Sequence, residues 1–241
     1  MKDVHVLAFD ADDTLWHSES YFQDVQRNFI GILDTYAPHD QVQEHLHETE
    51  LRNIQLFGYG VKGFTLSMIE TAIQISDHRV SASDIHDILM LGKGIFDAPL
   101  DLLDGVEDVL KSLQADFRLL LITKGDVLDQ RNKIEKSGLE HYFARTEVVQ
   151  EKDSTTYARL FAEHDIAIEN VAMIGNSLRS DVLPILELGG TGIHIPYHVT
   201  AHFEEVTDRI DHPKFYRLDR VVELPGLIGK TKKNKHARQG T

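Results

Sequence analysis

From Asp97 onward the chain alternates short apolar runs with amphipathic segments, and this pattern restricts its fold more than any other feature. Phe117–Ile122, Thr146–Val149, Val171–Ile174 and Gly192–Ile195 read as strands, and Val4–Phe9 supplies one more at the start. Between them Val106–Leu113, Val127–Ser137, Thr155–Glu163 and Asp181–Leu188 carry helical spacing. A strand that is apolar at every position must be covered on both faces, and helices that alternate with strands provide the cover. The expectation is an α/β fold: a Rossmann-like, doubly wound parallel sheet. In such sheets reactive side chains gather at the carboxyl ends of the strands.

Four strand ends carry chemistry. The first apolar run stops at Asp10-Ala11-Asp12-Asp13-Thr14, three carboxylates in four positions. Crowding carboxylates costs several kcal/mol unless a cation or hydrogen bonds offset it; an Asp-rich turn is the plain alternative. Phe117–Ile122 ends in Thr123-Lys124-Gly125-Asp126, where a hydroxyl and the amides of a Lys-Gly turn are donors suited to phosphate oxygens. Lys152 follows Thr146–Val149, with Ser154 expected to cap the next helix. Val171–Ile174 runs into Gly175-Asn176-Ser177-Leu178-Arg179-Ser180-Asp181, where Ser180 or Asp181 is the expected cap, Pro184 fits the first turn and Gly189-Gly190 ends the helix.

The stretch from Trp16 to about Ile95 differs. Tyr21–Tyr36, Val42–Phe57, Phe64–Ile75 and Ser83–Leu91 have helical spacing, and the glycine-rich run from Gly58 to Gly63 separates two of them. One strand, an all-helical block and then the remaining strands describe a helical insertion into a single sheet domain. The expected division is residues 1–16 and 96–228 for the α/β core, 17–95 for the inserted helical domain and 229–241 for a basic tail.

In order and spacing, the four strand ends resemble the four motifs of the haloacid dehalogenase (HAD)-like hydrolase superfamily. Asp104-Gly105-Val106, Ser137-Gly138-Leu139 and Tyr142-Phe143 add to the likeness. The resemblance implies that Asp10 is the nucleophile forming an aspartyl-phosphate, and that Asp12 is the general acid and then the base. Thr123 would hold the phosphoryl group and Lys152 would neutralise the crowded anions. Mg²⁺ would be held by Asp10, the Asp12 carbonyl, Asn176 and Asp181, hard oxygen donors as that ion prefers. An aspartate at position 12 resembles the phosphatase branch rather than the dehalogenases. The helical block would be that superfamily's cap, which implies a small soluble phosphate ester as substrate. Lys124, Gly125 and Lys62 join Thr123 as substrate-binding candidates; an exposed lysine in a turn is the alternative for Lys62 and Lys124. The family usually has Asp where this chain has Asn176, which lends Asp181 more weight. Phosphomutase or phosphotransferase activity on the same scaffold, or a non-catalytic binding role, are the competing functions.

Composition narrows the field. The chain has no cysteine, which rules out thiolate chemistry, and a net charge of −14, which disfavours nucleic acid as a partner. The basic run in 229–241 reads as a disordered, solvated end. His194, His198 and His202 recur every four residues, but Pro196 prevents one helix from presenting all three. No signal peptide or membrane-length apolar stretch stands out, so the expected location is the cytoplasm, with no membrane partner.

Overall fold

The computed structural model describes residues 3–229; the lysine-rich part of the tail, 230–241, lies outside the described residues. The sheet has six strands: β1 (Val6–Phe9), β2 (Arg118–Lys124), β3 (Arg145–Val149), β4 (Val171–Gly175), β5 (Thr191–His194) and β6 (Phe215–Arg217). Their order is β3-β2-β1-β4-β5-β6 and every pairing is parallel. The fold is thus α/β and Rossmann-like. β1 is central because it is apolar at all four positions and buried at all four. Leu7 and Phe9 enter one core with Leu119, Leu121, Ala172 and Ile174, while Val6 and Ala8 enter a second with Leu120, Ile122, Val171 and Met173. The period of two along each strand builds one core on each face.

The backbone falls into two compact units. Among the described residues the first comprises 3–17, 100–124 and 131–229; the second comprises 18–99 together with 125–130. Four helices make up most of the second: α1 (Glu19–Ile32), α2 (His39–Phe57), α3 (Val61–Ile75) and α4 (Ala82–Asp97). They share a core of their own that includes Phe29, Leu33, Leu46, Met68 and Ile88. Ser81 opens α4 with a reciprocal pair of hydrogen bonds to Asp84, which fixes the start of that helix.

In the first unit α5 (Val106–Leu113), α7 (Ser154–Glu163) and α8 (Leu183–Glu187) follow strands or precede them, and α6 (Val127–Ser137) starts just past β2. Two expected caps are corrected. Asp153, not Ser154, caps α7 by accepting from the Thr156 amide at 2.7 Å. At the fourth motif Ser177, not Ser180 or Asp181, accepts from the Ser180 amide, and a five-residue π turn, Leu178–Val182, precedes α8. The wider turn arises because the Val182 amide reaches back five residues to the Ser177 carbonyl at 3.3 Å. β6 has no counterpart in the sequence reading: it is three residues long and only partly buried.

Candidate active site

The registers bring the strand ends to a common edge. Phe9 pairs with Leu121 on one side and Ile174 on the other, so the residues after each strand emerge side by side. The Asp10 amide donates to the Ile174 carbonyl at 2.9 Å, extending the β1–β4 ladder by one residue and fixing the carboxylate's root. The chain then turns sharply: Asp13 has φ 61°, and the Thr14 amide donates to the Ala11 carbonyl at 3.2 Å. This turn places the Thr14 hydroxyl where it donates to Asp10 Oδ2 at 2.9 Å and accepts from the Asn176 amide at 3.1 Å. Thr123 and Lys152, both at or past strand ends, are almost fully buried.

Lys152 is the electrostatic centre. Its Nζ donates to Asp10 Oδ1 and, at 2.8 Å, to Asp181 Oδ1, and only 3% of the residue is exposed. Burial pushes the Asp10 carboxyl up to about 7 against the pull of Lys152, with Asp181 and Asp12 adding to the rise. Asp181 shifts upward for the same leading reason, burial. The Lys152 ammonium shifts the other way from a lone buried lysine, because Asp10 and Asp181 outweigh its desolvation. One cation thus holds two carboxylates that could not both ionise beside each other without it.

Asp12 is held apart from this cluster. Trp16 Nε1 donates to its Oδ1 at 2.7 Å, and Lys133 Nζ donates to Oδ1 and Oδ2 at 3.1 and 3.0 Å. Its main-chain oxygen faces the other way. The Asn176 side-chain amide points its NH₂ at that oxygen, at Asp10 Oδ2 and at Thr14 Oγ1, each 3.2 Å away; the opposite orientation would set its carbonyl oxygen against acceptors. His194, at the end of β5, donates Nε2–H to the Asn176 carbonyl at 2.9 Å, and burial holds its imidazole below the ordinary range. The turn after β4 is therefore pinned from both sides.

Three sequence-derived candidates have protein partners of their own. Asp181 is not presented as a metal ligand: Oδ1 accepts from Lys152 and Oδ2 accepts from the Ser177 amide at 3.0 Å. Gly175 is what permits this, since a Cβ there would lie 2.1 Å from Asp181 Oδ2. Lys124, one of the substrate-binding candidates, donates from Nζ to Glu204 and, at 3.0 Å, to Ser180 Oγ. Gly125, which follows it, has φ 146°, a conformation that suits glycine. Lys62 lies in the other unit, exposed, and its Nζ donates to Asp126 Oδ2 at 2.8 Å.

Two charged side chains that contact candidate site residues escaped the sequence reading. Glu204 accepts from Lys124, from the Ser177 hydroxyl and, at 2.7 Å, from the Ser180 hydroxyl. It ends a short 3-10 turn, His202–Glu204, in a stretch whose sequence has no strand or long-helix signal. Lys133 sits in the second turn of α6, and its place in the helix that starts beyond β2 is the one hint the sequence offers.

Comparison with known proteins places this geometry. The family model described as haloacid dehalogenase-like hydrolase matches residues 4–189. The chain belongs to the haloacid dehalogenase-like hydrolases. A HAD-like family hydrolase from Xanthomonas campestris is 40% identical with a TM-score of 0.87, over 98% of this chain and 95% of that one. A HAD-hydrolase from Bacillus subtilis, solved bound to magnesium, shares the fold at 18% identity with a TM-score of 0.63, over 93% and 98% of the two chains. An L-2-haloacid dehalogenase from Xanthobacter autotrophicus with chloropropionic acid covalently bound shares it at 13% identity with a TM-score of 0.61, over 94% and 98%. Comparison with curated proteins gives no match. No helix among the described residues is long and apolar enough to cross a membrane.

Proposed function

We propose that this HAD-like hydrolase is a Mg²⁺-dependent phosphatase acting on a small phosphate monoester through an aspartyl-phosphate. The observation that carries the reading is the second carboxylate, Asp12, held two residues beyond the nucleophile and kept out of the Asp10–Lys152–Asp181 cluster. An ester oxygen leaves readily only when a proton reaches it, and Asp12 can supply one; a departing halide needs none. That contrast favours phosphate esters over haloacids.

In the first step Asp10 attacks phosphorus as the ester bond breaks, and the proton of Asp12 passes to the leaving oxygen. In the second, Asp12 takes a proton from water as the water oxygen bonds to phosphorus and the Asp10–phosphorus bond breaks. Lys152 fixes the nucleophile and balances its charge, and Thr14 orients the other carboxylate oxygen. Thr123, two residues past the Leu121 that pairs with the end of β1, is the side-chain donor for the phosphoryl oxygens.

The residues present fit a magnesium ion. Among the described residues no three acidic or histidine side chains gather as a metal cluster. However, Asp10 Oδ2 and the Asp12 main-chain oxygen both lie 3.2 Å from the Asn176 amide. A half-turn of that amide completes a set of three hard oxygens, the donors Mg²⁺ takes. When bound, the ion would neutralise phosphoryl charge and hold Asp10 ionised. The expected result is Mg²⁺-dependent phosphate release from 4-nitrophenyl phosphate, abolished by Asp10→Asn, and no chloride release from 2-chloropropionate. Chloride release without phosphate release would overturn the assignment. The cytoplasm fits this reading, as does a soluble metabolite as substrate.

A further inference from the structure

Two side chains outside the four motifs hold Asp12. Trp16 has no exposed surface, and its backbone bridges Asp12 on one side and Leu102 on the other, so its indole N–H is a fixed donor. Lys133 spans both carboxylate oxygens, at 3.1 Å from the Oδ1 that Trp16 also meets and 3.0 Å from Oδ2. Three hydrogen bonds on two oxygens leave the carboxylate one orientation.

We propose that Lys133 is a positioning residue for phosphoryl transfer, acting through Asp12. The inference rests on the reading of Asp12 as the proton-transferring group. An exposed ion pair would contribute about 0–1 kcal/mol and need have no role. This pair is different in three respects. Its side chains are 16% and 25% exposed. The lysine shares the carboxylate with a rigid indole donor. And it supplies a charge that Lys152 cannot, since Lys152 is already shared by Asp10 and Asp181. Without Lys133 the carboxylate loses two of the hydrogen bonds that orient it towards the leaving oxygen, and a misplacement of about 1 Å costs roughly 10²-fold in rate.

The test compares wild type, Lys133→Gln and Lys133→Arg on two esters: 4-nitrophenyl phosphate, whose leaving group scarcely needs a proton, and glycerol 2-phosphate, whose leaving group does. Lys133→Gln should lower kcat on the alkyl ester by about 10²-fold and on the aryl ester by under about tenfold, with KM within about threefold. Lys133→Arg should recover most of the loss, because the guanidinium fork can reach both oxygens. Equal losses on both esters, a rise in KM alone, or no loss overturns the proposal. A second readout needs no turnover. Trp16 is the chain's one tryptophan, so emission from the folded protein reports on its bond to Asp12. Lys133→Gln should shift it and Lys133→Arg should not; an unchanged spectrum in Lys133→Gln overturns the proposal. If wild type releases phosphate from neither ester, the phosphatase reading fails, and the emission comparison still decides whether Lys133 orients Asp12. Should Lys133→Gln fail to fold, Lys133→Arg decides: retained rates and emission support the proposal, and their loss overturns it.

Discussion

Replacing Asn176 with aspartate sets a carboxylate 3.2 Å from Asp10 Oδ2 and from the Asp12 main-chain oxygen, where an NH₂ now donates. Without metal, two ionised groups at that distance repel by about 5 kcal/mol at an effective dielectric constant near 20. Protonation relieves this, and Asp10 is already poised for it at about 7. Its folded value lies above the ordinary 3.8, so the folded wild type keeps a proton that the unfolded chain gives up. Wild-type stability from this group is therefore present below pH 4, falls as pH rises towards 7, and levels off above. In Asn176→Asp the new charge raises the value further, so the fall continues above pH 7 at about 1.4 kcal/mol per unit. At pH 6 the variant should differ from wild type mainly by its lost hydrogen bonds, about 1 kcal/mol each. At pH 8.5 it should lose about 2 kcal/mol more, roughly 4–8 °C in Tm for a chain of this size. Mg²⁺ should reverse the order, since a dication favours both ionised groups. Affinity tightened tenfold adds about 1.4 kcal/mol at saturation. Thermal unfolding at pH 6 and 8.5, with and without Mg²⁺, reads all of this. A deficit independent of pH, together with equal Mg²⁺ shifts in the two proteins, would show that position 176 does not face the metal.

Asp181→Ala should destabilise the first unit by about 3–5 kcal/mol, because it strips a buried lysine of one partner and orphans the Ser177 amide; denaturant unfolding checks it. Gly175→Ala should cost at least about 2 kcal/mol and impair activity, as its Cβ would meet Asp181 Oδ2 at 2.1 Å; wild-type stability would refute the packing argument. Asp12→Asn should slow alkyl ester hydrolysis by about 10²-fold or more while leaving Tm nearly unchanged, read by phosphate release and calorimetry.

What the sequence made legible is what repeats locally. The apolar runs of β1, β2 and β4 announce strands because all their side chains are buried, and α6 matches its expected span, Val127–Ser137. Asp10 and Lys152 stood out through the likeness of the four strand ends to the family's motifs, and the fold brings them together although 142 residues separate them. The partners of polar side chains were not legible. Lys124 looked like a phosphate ligand until Glu204, 80 residues on, was seen to take its charge. Asp181 looked like a metal ligand until the fold placed it beside Lys152. Lys133 finds Asp12 across 121 residues, and no local pattern encodes such a pairing. β6 escaped because three half-exposed residues bury too little to leave a signature.

The strand order has a consequence for synthesis. β1 is made early, yet its neighbours on the two sides, β2 and β4, begin at Arg118 and Val171. At roughly 5–20 residues per second, the 142 residues from Asp10 to Lys152 take about 7–28 s to emerge. During that interval a nascent chain carries Asp10 without Lys152, and until Arg118–Lys124 is made it carries an apolar β1 without a partner. The helices of 18–99 meanwhile have their whole core in one continuous stretch of sequence. The helical unit can therefore form while the catalytic sheet waits, and the chemistry arrives only when the last strands close around the first.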